Sequence, residues 1–373
     1  MRGAWIAWLA LAACGSAPPA AERPGLELIG RLRDDGALAR AHDVELLGDI
    51  AAVPGKGGSL ALVDVSEPGR PRLAGSLSGL GDAETVLPIG DGLLLLGSRD
   101  LHVVDVSNPA APAIVATVED RPRVDRINGM ARRGDSVFAA CKSGYVAVFD
   151  IADPRRPRLA ASVATLEKGG QRSPHDVAML DEERIVVVDT ARDTEAALRV
   201  YKVFDGDALL PPERWEAGGG LPAVGAGGAF DLGGANRVAA ADGFAYVGAF
   251  VPDRVAIVDL RDPWQPRQTA NMPVCDIDAT GLTVAGKALF VAGGECVEAI
   301  DVSDPARPRS LAQYRGGELL ATRALEADGE VRYDNAHDLA YRDGLLYVTA
   351  QNDNAFGVLR VNDERVRALA EGR

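Results

Sequence analysis

Three stretches of this chain repeat one another: LALVDVSEPGRPRLAGSL at 60–77, LHVVDVSNPAAPAIVATV at 101–118 and VAVFDIADPRRPRLAASV at 146–163. Each alternates apolar with other residues, stops at an aspartate followed by a proline-bearing turn, and alternates again. A tandem repeat limits the fold severely, because one unit cannot bury its apolar face alone and must stack on the next. The aspartate that closes the third run of each unit is a ruler along the chain, standing at Asp64, Asp105, Asp150, Asp259 and Asp301. Lys202 and Arg360 hold the same place in two divergent units, which start at Pro174 and Ala336 and lack the proline turn. The first unit opens with AHDVELLGDIAAV at Ala41, and breaks at Gly48 and at 55–58 divide it into short alternating runs. Such spacing reads as four antiparallel strands joined by tight turns. A period of about forty residues with four strands is a propeller blade.

Counting gives seven units, the last with three strands only, while the missing outer strand stands at the other end of the chain as PGLELIGRL, 24–32. The expected fold is therefore all-β: a seven-bladed β-propeller over 25–361, closed by the N-terminal strand pairing with the last blade, with 362–373 as a C-terminal tail. Closure of this kind hides two sheet edges that would otherwise pair with other chains.

The segments LALVDVSEPGRP, LHVVDVSNPAAP, VAVFDIADPRRP, VAIVDLRDPWQP and VEAIDVSDPARP resemble LVIVD repeats of bacterial and archaeal cell-surface proteins. The resemblance covers roughly residues 25–361 and implies a surface propeller, without a defined chemistry. At the N-terminus, Arg2 precedes an apolar run from Ala4 to Ala13, too short to span a bilayer and suited to a secretory signal. Its end, Leu11-Ala12-Ala13-Cys14, resembles the lipobox of bacterial lipoproteins. That resemblance implies a signal peptide at 1–13, a lipidated Cys14, a tether over 14–24, and a site on the cell envelope. Gly15 follows Cys14 in place of aspartate, which in Gram-negative lipoproteins goes with the outer membrane. The membrane is thus one expected partner, reached through acyl chains. A net charge of −14 opposes a nucleic-acid partner.

The ruler aspartates are spread around a ring and lack the spacing of a calcium loop; each is expected to accept backbone N–H groups in its own turn. The histidines are more informative. His42, His175 and His337 fall at one repeat position, each followed by an aspartate: Asp43, Asp176 and Asp338. Glu84, Asn128, Asn236 and Thr280 occupy that position in the other units. First strands line a propeller's channel, so these residues should ring its mouth. One reading is a divalent metal or ligand site of His42, Glu84, His175 and His337, with the aspartates behind them. The other is that each His-Asp pair bonds to the neighbouring blade or to channel water.

His102 belongs to an ordinary strand. Cys275 and Cys296 lie on one face of the sixth unit, where a disulfide is geometrically open to them, and Cys141 is left as a small apolar residue. The glycine-rich segment 216–234 reads as an inter-blade loop, and 316–338 as an insert with a short helix over the channel mouth. No nucleotide loop, no G-x-S-x-G and no H-E-x-x-H is present, so catalytic residues are unassigned. Three functions remain: a lipid-anchored binding or scaffold propeller whose protein or surface-glycan ligand docks on the channel-mouth face, a metal-dependent hydrolase using the channel histidines, and a purely structural envelope protein.

Overall fold

The apolar runs of each unit become the two middle strands of a four-stranded antiparallel sheet. In blade 1 (Glu45–Leu47, Ile50–Gly55, Ser59–Asp64, Arg72–Ser78) nearly every middle-strand residue is buried, whereas the outer strand is half exposed. Middle strands are covered on both faces by neighbouring blades, so both faces must be apolar. This computed structural model describes residues 25–165, 173–190, 197–203, 209–210, 230, 232–249, 254–275, 279–321, 324–325, 331–332 and 335–373. The expected signal peptide, Cys14, the tether and most of 216–234 lie outside them.

Blade 2 comprises Thr85–Gly90, Leu93–Gly97, Leu101–Asp105 and Ala113–Val118; blade 3 comprises Ile127–Arg133, Ser136–Cys141, Tyr145–Asp150 and Arg158–Ala164. Blade 4 is the divergent one, with Ser173–Met179, Arg184–Thr190, Ala197–Val203 and, among the described residues, an outer strand of Leu209–Leu210. Blade 5 has Ala235–Ala241, Phe244–Ala249, Arg254–Asp259 and Arg267–Pro273, and blade 6 has Gly281–Ala285, Ala288–Gly293, Cys296–Asp301 and Arg309–Arg315. Blade 7 takes Ala336–Arg342, Leu345–Ala350 and Ala355–Val361 from the C-terminal end and Leu26–Arg33 from the N-terminal end. That last strand pairs antiparallel from Leu26↔Val361 to Arg33↔Ala355. The ring is closed as the stray half-unit requires.

The core is distributed in clusters, one at each blade interface. Leu60, Leu62, Leu94 and Leu96 join blades 1 and 2, and Val186, Val188, Val247 and Val258 join blades 4 and 5. Val53, Tyr347, Phe356 and Val358 join blade 7 back to blade 1. Burial of this kind contributes about 25 cal/mol per Å² of apolar surface.

Two segments depart from expectation. The tail carries helix α1 (Glu364–Ala370), capped by Asp363, whose carboxylate accepts from Arg365 N at 2.8 Å and Val366 N at 3.1 Å. Val366 is fully buried against blades 6 and 7, and Lys287 N donates to Leu369 O at 2.9 Å. The insert expected to hold a helix instead shows, among its described residues, the two-residue strands Ala324–Leu325 and Val331–Arg332 paired with each other. Leu319 and Leu320 plug into the cluster between blades 6 and 7.

Candidate hub site

The first strand of each blade faces the axis, and a local irregularity decides what it presents there. In blades 3, 4, 5 and 7 the pairing slips at Ile127/Gly129, Pro174/Asp176, Ala235/Arg237 and Ala336/Leu339. A bulge sets two residues against one and re-aims side chains. The slip falls at Asn128, His175, Asn236 and His337, the repeat position singled out by sequence, so this residue and its successor form two successive tiers of the hub.

The upper tier is His42, Glu84, Asn128, His175, Asn236, Thr280 and His337. All are buried except His175, which is half-buried. Its hydrogen bonds run from blade to blade. His42 Nδ1 donates to Glu84 O at 2.7 Å, His337 Nδ1 to His42 O at 2.8 Å, and His175 Nδ1 to Asn236 O at 2.8 Å. Thr280 Oγ1 donates to Ala336 O at 2.7 Å. A carbonyl only accepts, so each of these Nδ1 atoms carries the proton. His175 Nε2 then accepts from Asn128 Nδ2 at 3.1 Å. Burial pushes all three imidazoles well below the usual histidine range, and surrounding cations, Arg237 and Lys56 among them, add to it.

The aspartates behind them work the same way. Asp43 accepts from Val44 N at 2.6 Å and from Val86 N of the next blade at 2.9 Å. Asp176 repeats this with Val177 N at 2.8 Å and Val238 N at 2.9 Å. Asp338 accepts from Leu339 N at 2.8 Å, and its other oxygen lies 3.5 Å from Arg237 Nη2. The His-Asp pair is therefore a staple between consecutive first strands.

The imidazoles do not assemble as one ligand set. His42 and His337 pack against each other with tilted rings, centroids 3.9 Å apart, while His175 sits in blade 4 across the hub. Among the described residues, the group of three donor atoms that lie within 4.8 Å of one another is Cys275, Cys296 and Glu298. Those cysteines are joined as a disulfide with Cα atoms 5.3 Å apart. Glu298 accepts from Cys275 N at 3.0 Å.

Glu84 gathers two amines: Lys56 Nζ lies 3.2 Å from its Oε2 and Lys142 Nζ 3.9 Å from Oε1, while the neutral His42 ring places Nε2 3.3 Å from Oε2. Partial burial and the neighbouring Lys56, Arg126 and Arg237 charges bring the Lys142 amine down to about 8. Both lysines stand on hairpins between the second and third strands of their blades, on the face where the first strands begin.

Below the histidines lies a chamber of about 370 Å³ walled by all seven first strands: Asp43 and Glu45, Thr85, Gly129, Asp176, Arg237, Thr283 and Asp338 to Arg342. Burial drives Asp176 up to about 6, Glu45 up to about 8, and Asp338 well above the carboxylate range. A neighbouring Asp43 charge adds to each.

With the hub laid out, the chain can be set beside known proteins. Residues 39–78 and 96–120 match the LVIVD repeat model. These LVIVD units coincide with blade 1 and the outer half of blade 2, and the same ruler turn recurs structurally in blades 3, 5 and 6. Asp64 accepts from Ser66 N at 3.0 Å, Asp105 from Ser107 N at 3.1 Å, Asp150 from Ala152 N at 2.9 Å, Asp259 from Arg261 N at 3.1 Å and Asp301 from Ser303 N at 2.9 Å. No curated protein matches the chain. Among solved structures it is similar to the WD40 β-propeller domain of Doa1 (10% identity, TM-score 0.61, 92% of this chain and 99% of that one). It is also similar to Chaetomium thermophilum Raptor (10% identity, TM-score 0.64, 91% of this chain and 29% of that one). A third is the computationally designed Ika8 protein (12% identity, TM-score 0.57, 90% and 100%). At such identities the likeness concerns the fold.

The remaining candidates fall outside the hub chemistry. His102 bonds Thr117 Oγ1 at 2.9 Å and Ser98 Oγ at 3.2 Å within blade 2. Cys141 is fully buried, and burial raises its thiol to about 12. Sequence reasoning missed Lys56, Lys142 and Arg237. Arg237 was visible in the text: it occupies the place of Asp43, Asp176 and Asp338 in its own repeat, with the opposite charge.

Proposed function

We propose that this chain is a binding propeller of the cell envelope, acylated at Cys14, exported to the outer membrane, and docking a protein or surface glycan on the face where the first strands begin. The observation that carries the docking face is the cationic focus at Lys56 and Lys142 in a protein of net charge −14. Burial chiefly, with Lys56, Arg126 and Arg237 acting against Glu84, brings the Lys142 amine down to about 8, and an arriving anion would favour its charged form. The ligand surface is accordingly acidic, a carboxylated glycan or an acidic protein patch. Loops and hairpins displayed on a rigid ring are where binding tends to reside.

Charge reversal tests this reading. Lys56→Glu with Lys142→Glu, expressed as the full chain in its own envelope, is expected to lose most crosslinked partner recovered by pulldown. Recovery equal to wild type would remove the docking face. The anchor is tested by metabolic acyl labelling: Cys14→Ser is expected to abolish the label and release the protein from membranes, and a retained label would overturn the lipid attachment.

A further inference from the structure

The chamber beneath the histidines is a different place from the docking face, and its chemistry has the opposite sign. It lies on the side toward which the first strands run, since its walls extend from the Asp43 tier through Glu45 and Leu46 in blade 1 and through Arg342 in blade 7. Strand alternation puts Asp43 and Glu45 on the same face, and likewise Asp338, Ala340 and Arg342. Four carboxylates line the chamber (Asp43, Glu45, Asp176 and Asp338) against the guanidinium groups of Arg237 and Arg342. Arg342 is already engaged, donating to Gly48 O and covering the Tyr347 ring at 5.6 Å.

Arg237 is the decisive residue. It is only 5% exposed; its Nε donates to Thr280 O at 2.9 Å. Its Nη2 lies 3.5 Å from Asp338 Oδ2 and has no hydrogen-bond partner among the described residues. A buried, charged donor left unmade is costly, and native structures supply a partner for such groups. A ligand entering here must bring an oxygen acceptor to Arg237 and positive charge to the carboxylates. A bare metal ion does not fit: the carboxylates come from blades 1, 4 and 7, and among the described residues their oxygens form no donor group within 4.8 Å. An anionic acceptor would be brought against four carboxyl groups, three of which burial already raises.

We propose that the hub chamber binds a small organic amine that also carries neutral oxygen acceptors, an amino sugar or amino alcohol, with the ammonium toward Asp43, Glu45 and Asp176 and a hydroxyl oxygen accepting from Arg237 Nη2. The volume, about 370 Å³, lies in the range of small-molecule sites. Burial raises Asp176 to about 6 and Glu45 to about 8, so a bound ammonium would take over the charge compensation that protons otherwise give these carboxyl groups.

Calorimetric titration of the full chain at neutral pH with glucosamine, and in parallel with glucose, tests the site. Glucosamine is expected to bind saturably at one per chain and glucose at least about tenfold more weakly, because only the amine offers charge-assisted hydrogen bonds. Glu45 is half-buried at the chamber wall, and Glu45→Gln keeps its shape; this variant is expected to weaken glucosamine by about tenfold, while the control Asp304→Asn, half-buried but outside the chamber, binds it as wild type does. No saturable heat with glucosamine, equal affinity for glucose, or glucosamine binding indifferent to Glu45→Gln would each overturn the proposal. The docking-face variants Lys56→Glu and Lys142→Glu lie outside the chamber, so their result stands apart from this one.

Discussion

A histidine desolvated in the hub resists a second proton even though its Nδ1 proton is given to a neighbouring carbonyl. Half-buried His175 is such a group, and the buried His42 and His337 repeat it at the other side of the hub. Their folded pKa values lie well below the unfolded value, so the unfolded chain takes up protons first as pH falls below about 6.5. The stability they confer is complete above that pH and is lost beneath it. Each such group adds about 1.4 kcal/mol per pH unit to the slope. His175→Gln retains a donor for Asn236 O, and urea unfolding between pH 6.5 and 5 should show a slope shallower by about that amount. An unchanged slope would mean that His175 is not held neutral. Asp176 has the opposite sign: raised to about 6 when folded, it stabilises as pH falls through 6 toward 4. The His-Asp pairs were plain in the text. What makes them staples, the carbonyl of the following blade at 2.7–2.8 Å, depends on long-range placement that no local pattern encodes.

At the scale of elements, the ruler turn does more than reverse the chain. A Cβ at Gly75 in the outer strand of blade 1 would collide with the Pro109 carbonyl in the ruler turn of blade 2, and one at Gly30 would meet Pro68 in blade 1. Thr269 Oγ1 in blade 5 donates to Pro305 O of blade 6 at 3.1 Å. In blades 1, 2 and 6 the proline turn thus seats on the outer strand of the blade before it. Overpacking at such a contact costs about 1–3 kcal/mol, and Gly75→Ala is expected to lose that much in urea unfolding; no loss would show that the seat has slack. The Cys275–Cys296 bond spans 21 residues within blade 6, and Cys275→Ser is expected to cost about 3 kcal/mol of stability under oxidising conditions, read from the same transition. The strands were legible because their apolar alternation is dense. Helix α1 was not, because its apolar face is confined to Val366, Leu369 and Ala370 in a twelve-residue end, and what stabilises it is the Asp363 cap and docking on blade 6.

For the whole molecule, one physical condition governs: seven interblade clusters form a ring only if the final sheet is completed. Leu26–Arg33 supplies the fourth strand of blade 7, and Asn362 N donates to Gly25 O at 2.8 Å, so the first and last strands of the ring are fastened together. The hub staples and the chamber, which draw on every first strand, exist only in that closed state. Ring closure was legible in the sequence, since three strands near one end and one near the other complete a single blade; the charge map of the hub was not, because Lys56, Lys142 and Arg237 come from three different blades. The most direct measurement is an in-register crosslink. Leu28 faces Leu359 across the closing pair, so Leu28→Cys with Leu359→Cys should oxidise to an intramolecular disulfide, while Leu28→Cys with Ala355→Cys, off register, should not. Failure of the first pair to close within one chain, or equal closure of the second, would contradict the closed ring.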